Sequence, residues 1–241
     1  MKVDVVIPLG RGSRWGDNEL RFCLRGLEKN FLDLGNVWIV GEKPDWCVGV
    51  RYLRMPDFFT SNKDANLISK VMTACYQTEM SPTFVRCSDD EIFLHPTRFT
   101  EMQPYHQGEI RRPHGNRWHR RLERTGRWLR HSGLTAFNYD SHLPAPMRQD
   151  RFLKIFRQAS YKKLPGLTID STYFNCCGLE RHSRIPRGLR VRLSHRTTDA
   201  DRLRRKLSRA RYLNLTDRAI CPTLEAVLAE KFPKPSRFER K

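Results

Sequence analysis

The chain opens on Val3–Pro8 (VDVVIP), a β-branched run that reads as a strand buried on both faces. A flexible turn follows, Leu9-Gly10-Arg11-Gly12-Ser13. Leu20, Leu24, Leu27 and Phe31 then recur at helical spacing behind an N-cap at Asp17. Asn36–Val40 predicts a second strand, closed by Gly41 and Pro44, and Val50–Leu53 a short third one. Ser61 with Asp64 predicts a capping box, opening a helix through Leu67, Ile68, Val71, Ala74 and Cys75. Pro82 precedes a fourth strand, Thr83–Cys87, which runs straight into Ser88-Asp89-Asp90-Glu91.

This alternation predicts an α/β fold, a Rossmann-like open and mostly parallel sheet flanked by helices, with ligands at the carboxyl ends of its strands. The stretch from about 104 to 132 is polar, basic and rich in Gly and Pro, and reads as an insertion. Leu134–Tyr139, a helix around Arg148–Ala159 and a strand Arg190–Ser194 follow. Leu203, Leu207 and Ala210 give 200–213 the pattern of an amphipathic helix, and Thr223–Phe232 that of a short helix. The expected organisation is a domain over 1–200 with a basic helical extension, 201–241, packed on it.

Charge changes the picture. The 241 residues hold 45 Lys and Arg against 26 Asp and Glu, a formal charge of +19. With 39% hydrophobic and 10% aromatic residues the chain is too apolar for a disordered basic tail. No run approaches the roughly 20 apolar residues of a membrane helix, so no membrane partner is expected. Seven Cys at irregular spacing, two of them adjacent at Cys176 and Cys177, make no disulfide framework, and a reducing cytoplasm is expected.

Arginine is concentrated in Arg111, Arg112, Arg117, Arg120, Arg121, Arg124, Arg127 and Arg130, interleaved with Trp118 and Trp128. A second cluster holds Arg202, Arg204, Arg205, Lys206, Arg209 and Arg211. Guanidinium groups beside stacking faces suit nucleic acid or another polyanion. A solvated charged face would intersperse acids, and the first cluster carries only Glu123.

The candidate chemistry lies elsewhere. Asp89 and Asp90, just past a buried strand, can hold a hard divalent cation, or can simply cap the segment Ile92–Leu94. Gly10, Gly12 and Gly16 make a loop that lets a nucleotide approach the backbone, or an ordinary strand-to-helix turn. Lys63 and Asn66, at a helix start, suit phosphate or solvent. Asp140 and His142, two apart in an extended stretch, can share a pocket as proton acceptor and as metal or phosphate contact, or can be an Asp-capped turn with a surface His. Asp170, Ser171, Tyr173 and Asn175 form a further polar cluster, and His195 ends a strand. No Cys/His spacing makes a zinc site.

Taken in order, Asp17-Asn18-Glu19-Leu20-Arg21, Val37–Gly41 with Pro44, Ser88-Asp89-Asp90-Glu91, Tyr139–Pro144 and Tyr173–Asn175 resemble a GT-A fold nucleotide-sugar glycosyltransferase. More narrowly, residues 3–180 are similar to stealth-type sugar-phosphate transferases. They are also similar to viral and kinetoplastid enzymes that glycosylate hydroxymethylated pyrimidines in DNA. The resemblance implies Mn²⁺ or Mg²⁺ on Asp89 and Asp90, with Glu91 as a further ligand, and His142 is added as a candidate ligand from its own place beside Asp140. The resemblance also implies a UDP-sugar, with glucose as the expected hexose, held by Pro8, Leu9, Gly10, Gly41, Lys63 and Asn66. Asp140 then becomes the general base, with DNA as acceptor on the arginine clusters. A polysaccharide or lipid-carrier acceptor, and a non-catalytic nucleic-acid binder, remain the alternatives. The chain reads Asp-Asp-Glu where the family has Asp-x-Asp, and the segment 111–131 has no stealth counterpart.

Overall fold

A computed structural model describes residues 2–111 and 115–240; Arg112 of the first arginine cluster lies outside the described residues. The elements begin β1 (Val3–Leu9), α1 (Asn18–Asn30), β2 (Leu34–Gly41), β3 (Arg51–Arg54), α2 (Lys63–Cys75), β4 (Thr83–Arg86) and β5 (Glu91–Phe93). Next come β6 (Tyr105–His106), α3 (Arg117–His131), β7 (Ala145–Arg148), α4 (Gln149–Gln158) and α5 (Ile169–Cys176). The chain closes with β8 (Ser183–Arg184), β9 (Arg190–Leu193), α6 (Ala200–Leu207), β10 (Tyr212–Leu215) and α7 (Pro222–Lys231).

The central sheet has five strands in the order β3-β2-β1-β4-β7. The first four run parallel and β7 runs antiparallel to β4. Because side chains alternate between two covered faces, β1 and the Val37–Val40 half of β2 read as nearly continuous apolar runs. Val3, Val5 and Ile7 pack with Leu20, Leu24 and Leu27 of α1, whereas Val6 joins Trp38, Val40, Ile68 and Val71 on the α2 side. Leu20, Leu24 and Leu27 are at most 1% exposed, and burying each contributes roughly 1.5–3 kcal/mol. Asp4, the polar residue in that run, accepts from Trp38 Nε1 at 2.9 Å, Asn36 N at 2.8 Å and Ser81 N at 3.1 Å.

A second sheet, β5-β10-β9, stands beside the first. Strand β10 is its centre, antiparallel to β5 and parallel to β9. The carboxyl-terminal segment is therefore woven into the body of the molecule. Leu203, Leu207, Leu213, Leu224 and Leu228 share one core cluster with Trp15, Phe22 and Ile92. Glu239 receives Arg25 at 2.7 Å and Arg21 at 3.1 Å.

Several expectations are corrected. The stretch read as an insertion contains a 15-residue helix, α3, capped by Asn116, whose side chain accepts from the backbone of Trp118 and His119. Leu122, Thr125, Gly126 and Leu129 form its buried stripe. The predicted capping box at Ser61 and Asp64 is absent: Asn62 caps α2 by accepting from Ala65 N, and Asp64 is buried. Residues 140–142 are not extended either, because His142 sits at φ 49°. Among the described residues no helix is long and apolar enough to cross a membrane.

Candidate functional site

The chain leaves β4 through a tight turn that its own side chains build. Ser88 N donates to Glu91 Oε2 at 3.0 Å and Glu91 N to Ser88 O at 3.2 Å, closing Ser88 to Glu91. Arg86 Nη1 donates to Ser88 Oγ at 2.9 Å from below. Asp89 and Asp90 occupy the two central positions and are half-buried at the carboxyl edge of the central sheet. Asn214 Nδ2, on β10, donates to Asp90 Oδ2 at 3.0 Å.

Glu91, expected to share a cation, is committed to this scaffold. It is 2% exposed, spends Oε2 on the Ser88 amide, and lies 3.6 Å from Arg86 Nη1. Asp89 and Asp90 are therefore the two carboxylates presented by the turn. Burial raises the Asp89 pKa to about 6, with Glu19 adding to the rise and Lys63 opposing it. Burial, then the Asp89 and Glu91 charges, raise Asp90 to about 8 against Lys63 and the Asn214 hydrogen bond. Lys63, the first residue of α2, is exposed and lies within electrostatic reach of both.

Arg86 organises the other side. Its guanidinium bonds Asp170 Oδ2 at 2.7 Å and the carbonyl of Leu143 at 3.3 Å. Asp170 and Glu91 outweigh the burial that disfavours its charge, so its pKa stands above the ordinary arginine value. The Asp170 cluster is thereby assigned to structure. Ser171 Oγ accepts from Tyr139 N, Tyr173 Oη from Arg148 N, and Asn175 Oδ1 from Phe137 N, so α5 clasps the segment that carries Asp140 and His142.

Asp140 is raised to about 8 by burial and by Asp64 and Asp170; the Trp118 hydrogen bond and Arg86 pull the other way. That bond, Trp118 Nε1 to Asp140 Oδ2, is 2.9 Å long. His142 faces a different set of groups. Burial and then Arg192, Arg190, Arg86 and Lys63 depress it to about 3, so its imidazole is neutral at physiological pH. His195, also singled out, is exposed and its Nδ1 lies 2.9 Å from Ser194 Oγ.

At the ends of β1 and β2 the predicted nucleotide loop divides. Pro8 and Leu9 are buried within the sheet, and Gly10 is exposed beside Asp57. Lys70, 1% exposed, donates from Nζ to Leu9 O and to Asp57 Oδ1, both at 2.6 Å, and pins this corner. Gly41 takes φ +137°, and a Cβ there would stand 1.8 Å from Leu9 O. Asn66, expected to face phosphate, instead brackets Phe59, accepting from its N and donating to its O at 3.0 Å each.

The basic surface is smaller than its arginine count. Arg121 is 8% exposed and paired with buried Asp64, so it joins α3 to α2 and is removed from the nucleic-acid set. Arg124 donates to the carbonyls of Lys163 and Ser160, and Arg130 to that of Ile110. Arg111, Arg117, Arg120 and Arg127 are exposed. Trp128 is half-buried and borders an open depression of about 550 Å³ with Arg124, Arg127, His131, Leu164 and Pro165. On α6, Arg204 is engaged by Asp201 at 2.8 Å and Glu230 at 2.9 Å, whereas Arg205 is exposed.

Comparison with protein-family models and with curated proteins finds no match to this chain.

Proposed function

We propose that this chain is a metal-dependent glycosyltransferase that moves a hexose from a UDP-sugar to the hydroxyl of a hydroxymethylated pyrimidine in DNA. The observation that carries the reading is the Ser88–Glu91 turn. It gathers two partly desolvated carboxylates at the carboxyl edge of an open sheet, with Lys63 as their cationic neighbour.

The donor set fits a hard divalent cation. Among the described residues no three His, Cys, Asp or Glu side chains converge on one point. Two carboxylates completed by substrate phosphates and water are, however, the usual arrangement for Mg²⁺. Asp89 and Asp90 would hold the ion, which when bound supplies neutralising charge to a departing diphosphate. Asn214 fixes the orientation of Asp90, and Lys63 adds positive charge on the α2 side. Exposed Gly10 leaves the end of β1 free of a side chain where a nucleotide would lie, whereas buried Gly41 lets β2 close against Leu9 O.

Asp140 would accept the proton of the acceptor hydroxyl, its raised pKa bringing it close to the operating pH of a general base. The acceptor is taken as DNA because Trp118 ties Asp140 to the first turn of the basic helix α3, whose solvent face presents Arg117, Arg120 and Arg127 to a phosphate backbone. The test is incubation with UDP-glucose, Mn²⁺ and DNA containing hydroxymethyluracil or hydroxymethylcytosine, followed by digestion to nucleosides and mass spectrometry. A hexose adduct lost in Asp90→Asn supports the proposal. UDP release to a glycan or lipid-phosphate acceptor, with no adduct on DNA, removes the DNA assignment.

A further inference from the structure

The second sheet turns a second charged wall toward this site. Register places Glu91, Asn214 and Arg192 side by side across β5, β10 and β9, and Phe93, Tyr212 and Arg190 likewise. Residues in register share a face, so both arginines stand on the face that carries Asn214 and, through it, Asp90. The opposite face, Ile92, Leu213 and Val191, belongs to the hydrophobic core.

These arginines are short of acids. Arg190 Nη1 is buried and has no hydrogen-bond acceptor among the described residues. A buried guanidinium N–H without an acceptor is costly and implies a group that completes it. Glu91 is the acid within electrostatic reach of Arg190, but it already serves the Ser88 amide and Arg86. Arg192 is exposed. His142 faces both guanidinium groups and is uncharged, so it brings no anion to them.

We propose that Arg190 and Arg192 form a phosphate subsite, in which the half-buried Arg190 side chain turns its orphaned Nη1–H, covered in the unliganded chain, out to a phosphate oxygen while Arg192 closes over it beside Asn214 and Asp90. Paired guanidinium groups are suited to this anion geometrically as well as electrostatically. The chemistry has two sources, the diphosphate of a nucleotide donor or a backbone phosphodiester of a nucleic-acid acceptor. Only the naming of those sources rests on the transferase reading.

The test is calorimetric titration of the full chain, in metal-free buffer, with inorganic pyrophosphate and separately with a duplex oligonucleotide. Arg190→Gln and Arg192→Gln are compared with the wild type and with Lys234→Gln, an exposed change that removes the same charge elsewhere. The arginine variants are expected to weaken at least one ligand tenfold or more. Loss confined to pyrophosphate assigns the subsite to a donor diphosphate, and loss confined to the oligonucleotide assigns it to an acceptor backbone. Affinities for both ligands within twofold of Lys234→Gln would overturn the subsite. Arg192 is exposed, so Arg192→Gln carries the test even if Arg190→Gln fails to fold. Should the wild type transfer no hexose to any acceptor while pyrophosphate binding stayed sensitive to Arg192→Gln, the transferase reading would fail and the phosphate subsite would stand.

Discussion

The indole Nε1 of Trp118 donates to Oδ2 of Asp140 across 2.9 Å, joining the first turn of the basic helix to the carboxylate proposed as the general base. The bond stabilises the ionised form and opposes the rise caused by burial, Asp64 and Asp170. Trp118→Phe keeps an aromatic ring and removes the donor, so the Asp140 pKa should climb further. The rising limb of the pH–rate profile for transfer should then move to higher pH, with the plateau rate largely recovered in alkaline buffer. An unmoved limb would show that Asp140 is not the titrating base.

The carboxylate turn should make stability and metal response depend on pH in a defined direction. Folded Asp89 and Asp90 hold their protons to about 6 and about 8, against 3.8 ordinarily. Between those limits the folded state binds more protons than the unfolded chain, so this pair subtracts stability as pH rises from about 4 to about 8. Millimolar Mn²⁺ should raise the melting temperature more at about pH 8.5 than at about pH 5, because it takes the place of the lost protons. Asp90→Asn should melt higher than the wild type in metal-free alkaline buffer and lose most of the Mn²⁺ response. Thermal scans at the two pH values check this.

The arginines of α3 should separate into two kinds. Arg121→Ala leaves buried Asp64 without its partner and should cost about 3–5 kcal/mol in denaturant unfolding. Arg117→Ala, Arg120→Ala and Arg127→Ala should leave stability nearly unchanged. Each that meets a backbone phosphate should lower the slope of log K against log salt by about 1. A salt slope that none of the three alters would move the DNA contact away from this helix.

Gly41→Ala tests the corner where β1 and β2 end. The backbone at φ +137° is strained for any L side chain, which alone costs roughly 1–3 kcal/mol, and the new methyl would press on Leu9 O. A melting temperature well below that of the wild type is expected, with a larger loss than for Gly12→Ala, where a Cβ meets open space.

The parallel core of this fold is legible in the sequence because burial on both faces favours apolar runs, long in β1 and β2 and reduced in β4 to Phe84 and Val85. Strand β7 is not, since Pro146 interrupts a four-residue strand that exists only by pairing with β4. Strand β10 hides behind the arginines of α6, where its first residues read as the end of that helix. The signal for α3 is present in Leu122, Thr125, Gly126 and Leu129 at helical spacing, but arginine composition masks it. In the site, the Asp89–Asp90 turn stands out as acids abutting an apolar strand. Arg190, Arg192 and Asn214 do not, because an Arg-x-Arg strand and a lone Asn acquire meaning only through lateral register. No local pattern signals that Arg121 belongs with Asp64 or Trp118 with Asp140, since tertiary packing creates both pairs.

Placing Asn214 on the middle strand of the second sheet has a consequence for how the protein comes into being. During synthesis β1 to β4 and the acidic turn emerge from the ribosome first, yet the amide that steadies Asp90 and the partner strand of β9 arrive only with residues 212–215. A nascent chain can assemble its central sheet early but stays chemically unfinished until that late strand threads between its neighbours.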